Sequence, residues 1–381
     1  MANAVYLELS NTIPSYCQQR QNYCGPAVAA MILEGYPPAQ GQPVDHPESQ
    51  GTLYSAIQGN NGEKLVPFWS ANKGTDPAGM AVTLSEFGPP TQWVVEYQPD
   101  WHDVMYAVVH SVGQTQYPVA VLIFGFLHWI VVDGYVTDVD PLRSNRVLLL
   151  TVDSVDPLPE CGNGIALGTR SRSDGWLWSA YYWHDAETGA GGSQWNRNFL
   201  GVIAESASVG SVSVVSQPDR GQVIRPDAAM QRAVAWLQSG AGDPLSAELL
   251  GLSALDATLV NADQYGYYIV SFGEERAVRG VVLVNAYNGS FLQVSVFGGT
   301  FQYLTQAEAW AVIAERFALE VGASFEEQPP PDVVAEMIFR PSAQTLSLAF
   351  PVWQFRSGHG VVRVTQQGRA FGEFTPSPGG F

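Results

Sequence analysis

Hydrophobic residues in the first half of the chain recur at helical spacing in three stretches, and downstream they form nearly continuous runs. The first helical stretch begins at Cys24, and the other two cover about residues 78–87 and 100–113. The runs are rich in Val, Ile and Leu, are bounded by turn residues, and predict strands at 118–125, 128–136 and 146–154. Because helices come first and a strand hairpin follows, the pattern predicts an α+β domain with an antiparallel sheet.

A segment at 208–227 has no helical period and is rich in Ser, Gly and Pro. Such a change indicates a boundary between domains. We therefore expect one domain at 1–210, a linker at 211–226 and a second domain at 227–381.

The second domain shows one order of elements twice. A helical stretch at 228–239 precedes strands at 267–297, which contain an Asn288-Gly289 hairpin turn. A second helix at 305–317 opens on a Thr305/Glu308 capping box and precedes strands at 350–374. The pattern predicts an α+β domain of two repeats, each a helix followed by an antiparallel meander.

Composition and charge narrow the possible functions. The chain has 381 residues, 46% of them hydrophobic, which is enough for two folded cores. Its net charge is −18 and only Lys64 and Lys73 are lysines, so we expect no nucleic-acid partner. No apolar run is long enough for a membrane span and the N-terminus lacks a signal pattern. We expect a cytoplasmic protein, or a secreted one if a signal peptide has been removed.

Three cysteines, Cys17, Cys24 and Cys161, are an odd and small number, which disfavours a disulfide framework and leaves at least one thiol free. None has a histidine at metal-ligand spacing, so we expect no metal and no cofactor. Cys24 stands out because it precedes an apolar helix. Helix N–H groups and the helix dipole stabilise a thiolate there, which favours a nucleophile over a buried structural cysteine only if partner residues exist.

Gln18 and His128 are the candidate partners of Cys24. Gln18 lies six residues upstream, where its amide could help hold an oxyanion, although Gln19 and Gln21 compete for that role. His128 begins the strand HWIVVDGY, and a rigid strand would fix its ring as a general base. The remaining histidines lie in loops, in a predicted helix, after an aromatic cluster or in a glycine turn: His46, His102, His110, His184 and His359.

An acidic residue after the next strand would orient His128. If Val136 pairs with Arg146, His128 lies opposite residue 154, which favours Asp153. Asp156 is the alternative, because a bulge or a longer loop would shift the register. Asp133 ranks last because it lies on the histidine strand itself.

This set of residues resembles the papain-like cysteine peptidases, most closely the bacteriocin-processing peptidases that remove double-glycine leaders and their stand-alone relatives. The resemblance covers about residues 15 to 205 and includes the motifs Gly74 to Met80 and Tyr117-Pro118-Val119. It implies that Cys24 is the nucleophile, His128 the base, Asp153 or Asp156 its orienting acid and Gln18 the oxyanion-hole donor. Unlike that branch, the chain has Tyr23 rather than an acid before the cysteine and no transporter spans.

The resemblance implies a thiol amide hydrolase that acts on a peptide or protein substrate. Two alternatives stay open: an acyltransferase or transpeptidase that uses the same triad, and a non-catalytic binding or regulatory protein. Four tryptophans are candidates for lining a cleft, with core packing as the competing interpretation: Trp129, Trp176, Trp178 and Trp183.

The second domain resembles PepSY and peptidase-propeptide modules. The residues that carry this resemblance run from Val284 to Gly289 and from Tyr303 to Ala309. It implies a domain that inhibits the peptidase or docks its substrate.

Overall fold

The computed structural model describes residues 5–373, except 10–12, 21, 36–48, 63–73, 90, 127, 159–167, 184–194, 196, 205–209, 217–220, 241–242, 263–264, 322–328, 343–344, 346 and 359. The chain divides into two compact units, formed mainly by residues 1–217 and 218–376. Both combine helices with mostly antiparallel strands, so the predicted α+β class is confirmed.

The first unit contains a twisted, mostly antiparallel sheet. Its strand order is β6-β5-β4-β3-β7-β2, and β1 pairs with β4 while β8 pairs in parallel with β5. The strands are β1 Val5–Glu8, β2 Trp93–Gln98, β3 Val119–Ile123, β4 His128–Thr137, β5 Arg146–Asp156, β6 Thr169–Asp174, β7 Phe199–Ala204 and β8 Ser211–Ser213. Since β8 belongs to this sheet, the start of the predicted linker is part of the first unit.

The helices of the first unit are α1 Cys24–Gly35, α2 Gln50–Asn60, α3 Pro77–Phe87, α4 Trp101–Thr115 and α5 Gly175–Leu177, which continues as a π-helical turn at Trp178–Tyr182. The helices predicted at Cys24, 78–87 and 100–113 are therefore confirmed. α1 contacts β4, α2 and α3, and every residue except Glu34 is buried. Because α1 is buried on all sides, apolar residues occupy all of its faces.

α2 has no counterpart among the helices that the hydrophobic pattern predicts. Its sequence, QGTLYSAIQGN, contains two glycines and places only Leu53 and Ile57 as buried apolar residues. The helix is instead fixed at its start by Ser49, whose side chain accepts a hydrogen bond from the N–H of Thr52. A short polar helix of this kind has too few apolar positions for a periodic signal.

The β4–β5 hairpin has a different register from the predicted one. Val136 pairs with Thr151 instead of Arg146, a shift of 151 − 146 = 5 residues. The start of β5, Arg146–Leu148, extends past the hairpin and pairs with β8. A bulge between Val132 and Gly134 leaves Asp133 as the extra residue of β4.

The second unit has the strand order β16-β15-β14-β13-β9-β10-β11-β12, and within its described residues β13 with β9 is the one parallel pair. Its strands are β9 Ser253–Ala262, β10 Tyr265–Glu274, β11 Ala277–Asn285, β12 Phe291–Phe301, β13 Val334–Phe339, β14 Val352–Ser357, β15 Gly360–Val364 and β16 Ala370–Phe371. Its helices are α6 Pro226–Ser239, α7 Pro244–Leu249 and α8 Gln306–Val321.

Each half of the second unit buries its own core. In the first half α6 and α7 pack on β10, β11 and β12, and in the second α8 packs through Trp310 on β14 and β15. The predicted capping box is confirmed, since Thr305 and Glu308 exchange side-chain and backbone hydrogen bonds at the start of α8. The turn at Asn288-Gly289 is also confirmed, with Gly289 at a φ of 71°.

Among the described residues, no helix combines the length and the apolar character that a bilayer crossing requires.

Candidate active site

Cys24 is the first residue of α1, is not disulfide-bonded and is completely buried. The turn before it is closed by a hydrogen bond from the Tyr23 N–H to the Arg20 carbonyl, and the Tyr23 carbonyl accepts from the Ala27 N–H. The Tyr23 ring stacks on Tyr54 of α2 with ring centroids 4.8 Å apart. These contacts fix the position at which α1 begins and therefore the position of the thiol.

His128 is the first residue of β4 and is completely buried between an acid and the thiol. Its Nε2 lies 2.7 Å from Oδ1 of Asp156. Burial alone would lower the pKa of His128, but the Asp156 carboxylate and the Cys24 side chain outweigh it and raise the pKa to about 9. The other ring nitrogen, Nδ1, makes no hydrogen bond to a nitrogen or oxygen of the described residues. Nδ1 is thus the nitrogen available to exchange a proton with Cys24.

The structure corrects the preference for Asp153 over Asp156. Asp153 pairs with Arg172 of β6 through two hydrogen bonds, from Nε to Oδ1 at 2.6 Å and from Nη2 to Oδ2 at 2.7 Å. Both side chains of this ion pair are buried. At the His128 end of the hairpin the bulge reduces the shift to 155 − 151 = 4 residues, because Val131 pairs with Val155 instead of Thr151. This register moves Asp153 away from His128 and brings Asp156, at the end of β5, beside it. Asp133, which ranked last, is buried at the bulge of β4.

Gln18 is buried and is bound to the segment that follows Asp156. Its backbone N–H donates to the Leu158 carbonyl at 3.1 Å, and its Nε2 donates to the Pro157 carbonyl at 2.7 Å. One amide hydrogen of Nε2 is therefore used, and Oε1 is buried without a hydrogen-bond partner among the described residues. The segment 156–158 thus contacts both His128 and Gln18. Gln19 is exposed, and Gln21 lies outside the described residues.

Thr75 is a site residue that the sequence motif did not reveal. A Cβ added to Gly25 would overlap Oγ1 of Thr75, so the absence of a side chain next to Cys24 makes room for Thr75. The Thr75 carbonyl accepts a hydrogen bond of 3.1 Å from the indole N–H of Trp129, the neighbour of His128. Thr75 therefore contacts the residue after the cysteine and the residue after the histidine.

The loop that carries Thr75 is bound to α2. Asn61 Nδ2 donates to the Gly74 carbonyl at 3.3 Å, and the Asp76 N–H donates to Asn61 Oδ1 at 3.2 Å. Asp76 then caps α3 by accepting from the Gly79 N–H at 2.7 Å. The Asp-Pro pair at the start of α3 is a cap signal in the sequence, but its link to the site through Asn61 has no sequence signal.

Among the described histidines, His128 is the one whose ring interacts with the Cys24 side chain. His102 is partly exposed and lies 2.6 Å from Oδ1 of Asp100 at the start of α4. His110 is buried in α4, where burial lowers its pKa. The other three, His46, His184 and His359, lie outside the described residues.

The disulfide state of two of the three cysteines can be compared with the expectation from their number. Cys24 is not part of a disulfide, in agreement with the expectation that at least one thiol stays unbridged, whereas Cys17 is disulfide-bonded. Three cysteines allow at most one bridge within the chain, and a single bridge is not the framework of several bridges that the count disfavours. Cys161 lies outside the described residues. Within the described residues there is no cluster of three or more metal-ligating side chains.

The candidate cleft tryptophans Trp129, Trp178 and Trp183 are all buried. Trp178 stacks on Tyr182 with ring centroids 4.6 Å apart, and its centroid lies 6.1 Å from that of Trp183. This aromatic cluster continues into the β3–β4 turn, because the Phe124 N–H donates to the Tyr182 carbonyl at 2.9 Å. Core packing is therefore the role that these contacts support.

The turn before His128 has an unusual backbone. Phe124, Gly125 and Phe126 all have left-handed conformations, with φ of 54°, 65° and 72°. A non-glycine residue in this region costs about 1 kcal/mol or more and persists only where the surrounding contacts enforce it. The aromatic cluster provides these contacts, so it holds the turn from which β4 and His128 begin.

Comparisons with known proteins add no assignment: no protein-family model matches the chain, and no curated protein or solved structure matches it either. A functional proposal therefore rests on the geometry of Cys24, His128, Asp156 and Gln18.

Proposed function

We propose that this protein is a cysteine peptidase or a related thiol amide hydrolase, with Cys24 as nucleophile, His128 as base and Asp156 as its orienting acid. One observation carries the proposal: a buried histidine lies 2.7 Å from a carboxylate and also interacts with a free cysteine at the start of a helix. A nucleophile, a base and a group that orients the base are the parts that acyl transfer requires. The resemblance to papain-like peptidases is part of this proposal.

The raised pKa of His128 supports an ion pair as the resting form. With a pKa of about 9 the imidazole is protonated at neutral pH. A buried imidazolium needs negative charge near it, and the Asp156 carboxylate provides one such charge. Transfer of the thiol proton to Nδ1 would provide a second and would leave a thiolate at the start of α1, where the helix dipole favours a negative charge.

The reaction then has two steps. The Cys24 thiolate attacks the amide carbonyl, and His128 gives its proton to the leaving amine, so that a thioester and a free amine form. Water, deprotonated by His128, attacks the thioester and releases the acid and the thiol. In both steps the oxyanion accepts hydrogen bonds from the remaining Nε2 hydrogen of Gln18 and from the backbone N–H of Cys24.

The experiment that tests this proposal uses peptide substrates with an activated amide leaving group. Wild-type protein should release the leaving group and accumulate a thioester on Cys24, which mass spectrometry of acid-quenched samples detects. Cys24→Ala should form neither, and Asp153→Asn should still form both. Release of product without an adduct on Cys24 would contradict the assigned nucleophile. Added amines distinguish hydrolysis from acyl transfer, because a transferase would give the amine-capped product.

A second candidate is a non-catalytic binding or regulatory protein, and the complete burial of Cys24 and His128 favours it. A substrate can reach the thiol only if the covering residues move. If the dyad stays covered, an alkylating agent will modify Cys24 more slowly than a cysteine in an unfolded peptide. Within the proposed peptidase, the second unit serves as an inhibitory or substrate-docking domain.

A further inference from the structure

Gln50, the first residue of α2, binds the backbone on both sides of Gln18. Its Nε2 donates a hydrogen bond of 2.8 Å to the Cys17 carbonyl, and its Oε1 accepts one of 2.9 Å from the Gln19 N–H. A single side-chain amide thus pairs with the chain just before and just after Gln18. Gln50 thus presents one donor and one acceptor to this backbone, as a neighbouring strand would in a sheet.

The position of Gln50 is itself fixed. Its side chain is 6% exposed, and Ser49 caps the helix at the residue before it. Leu53 and Ile57, one and two turns further along α2, are completely buried. Gln50 therefore extends from an anchored helix, and movement of the 17–19 segment would break two partly buried hydrogen bonds.

Gln18 is held on its other side as well, through its bonds to Pro157 and Leu158. Pro157 directly follows Asp156, so one end of this arrangement is tied to the acid of the site. Gln50 fixes the opposite end. Without it, the described hydrogen bonds that remain on Gln18 are those to Leu158 and Pro157, both on the side of the acid.

We propose that Gln50 is a positioning residue for the oxyanion hole: it holds the Gln18 backbone so that the Gln18 amide points at the oxygen that becomes negative. This inference rests on the proposed function, in which Gln18 is an oxyanion donor. Substitution of Gln50 should slow only the steps that develop an oxyanion. Alkylation of Cys24 by iodoacetamide develops no oxyanion and should not depend on Gln50.

The experiment therefore measures two reactions on the full-length protein. The first is reversible binding of a peptide aldehyde, whose adduct on Cys24 places an oxyanion or hydroxyl in the hole. The second is the rate of alkylation of Cys24 by iodoacetamide. The variants are Gln50→Ala, Gln18→Ala and the double variant. Gln50→Glu keeps the Oε1 acceptor but loses the donor to Cys17, and it covers the case in which the alanine variant does not fold. Asn60→Ala is the matched control, because that exposed amide on α2 bonds only within its own helix.

We expect Gln50→Ala to weaken aldehyde binding and to lower kcat by about 10- to 100-fold, with KM and the alkylation rate little changed. Gln50→Glu should lose activity too, and Asn60→Ala should behave as wild type. In the Gln18→Ala background, the further loss on adding Gln50→Ala should be less than about twofold, because Gln50 acts through Gln18.

Two results would overturn the inference while leaving the proposed function intact. One is a Gln50→Ala variant that binds the aldehyde as tightly as wild type. The other is an equal loss with and without Gln18, which would make Gln50 a structural residue only. Wild-type protein that forms no aldehyde adduct on Cys24 would instead overturn the proposed function, and the inference with it.

Discussion

Oδ1 of Asp156 lies 2.7 Å from Nε2 of His128, although the two residues are 28 positions apart in the sequence. Asp153 is three residues closer to His128 in the sequence, but its carboxylate binds Arg172 instead. The two acids are on the same strand, both are buried, and they serve different partners. Their substitutions should therefore have different consequences.

Replacement of Asp156 should affect activity more than stability. Asp156→Asn removes the charge that holds His128 protonated and oriented, so kcat/KM should fall by about 100-fold.

Replacement of Asp153 should instead affect stability more than activity. Asp153→Ala leaves the buried Arg172 guanidinium unpaired, which should lower the free energy of unfolding by about 3–5 kcal/mol. Denaturant unfolding and peptide hydrolysis, measured on both variants, check the pair. Full activity of Asp156→Asn would reject its role as orienting acid.

The pH dependence of activity should show a limb set by His128. Because the Asp156 carboxylate and Cys24 raise the pKa of His128 to about 9, the protonated imidazole persists through neutral pH and disappears above about 9. We expect kcat/KM to fall on the alkaline side near that value. In Asp156→Asn the fall should move to lower pH, since its main supporting charge is gone. An alkaline limb that stays in place in this variant would contradict the assignment.

The raised pKa of His128 also predicts how the stability of the fold depends on pH. A histidine with a folded-state pKa above its unfolded value of 6.5 stabilises the fold fully below about pH 6.5 and loses that contribution as the pH rises through about 9. The unfolding midpoint of wild type minus that of His128→Gln should therefore be larger at pH 6 than at pH 9.5. A difference that grows with pH would show that the ring is buried in its neutral form.

A methyl group at Gly25 should destabilise the protein. The added Cβ would overlap Oγ1 of the completely buried Thr75, so Gly25→Ala should lower the free energy of unfolding by about 1–3 kcal/mol. Gly59→Ala in α2 is the matched control, since nothing lies within 4 Å of its new Cβ. Helix propensity predicts a gain of up to about 1 kcal/mol for that control. Equal effects of the two substitutions in denaturant unfolding would refute the close contact between Gly25 and Thr75.

The site residues that could be predicted from the sequence are those with a local signal. Cys24 precedes an apolar helix, His128 opens an apolar strand, and Gln18 lies close upstream of the cysteine. The acid beside His128 could not be identified from the sequence, because its position depends on the length of a turn and on a bulge at Asp133, and neither has a periodic pattern. A shift of four residues at the His128 end of the hairpin places Asp156, rather than Asp153, beside His128.

Residues that support the site through tertiary contacts had no signal at all. Gln50 lies in a short helix with few apolar positions, and its partners are backbone atoms 31 and 33 residues away. Thr75 stood within a noted motif, but its contact with Gly25 depends on the packing of α1 against the following loop. Hydrophobic period predicts elements, whereas these contacts arise only when the elements are assembled.

The central claim is that His128 activates Cys24, and the most direct test is the rate at which iodoacetamide modifies Cys24. The rate should be measured by intact mass and peptide mapping from about pH 5 to about pH 9, in wild type and His128→Ala, with Cys24→Ala as the control for other sites. We predict fast modification of Cys24 that persists below pH 7 in wild type and is lost in His128→Ala. Modification of Cys24 no faster than that of a cysteine in an unfolded peptide, or equal in both proteins, would contradict the account.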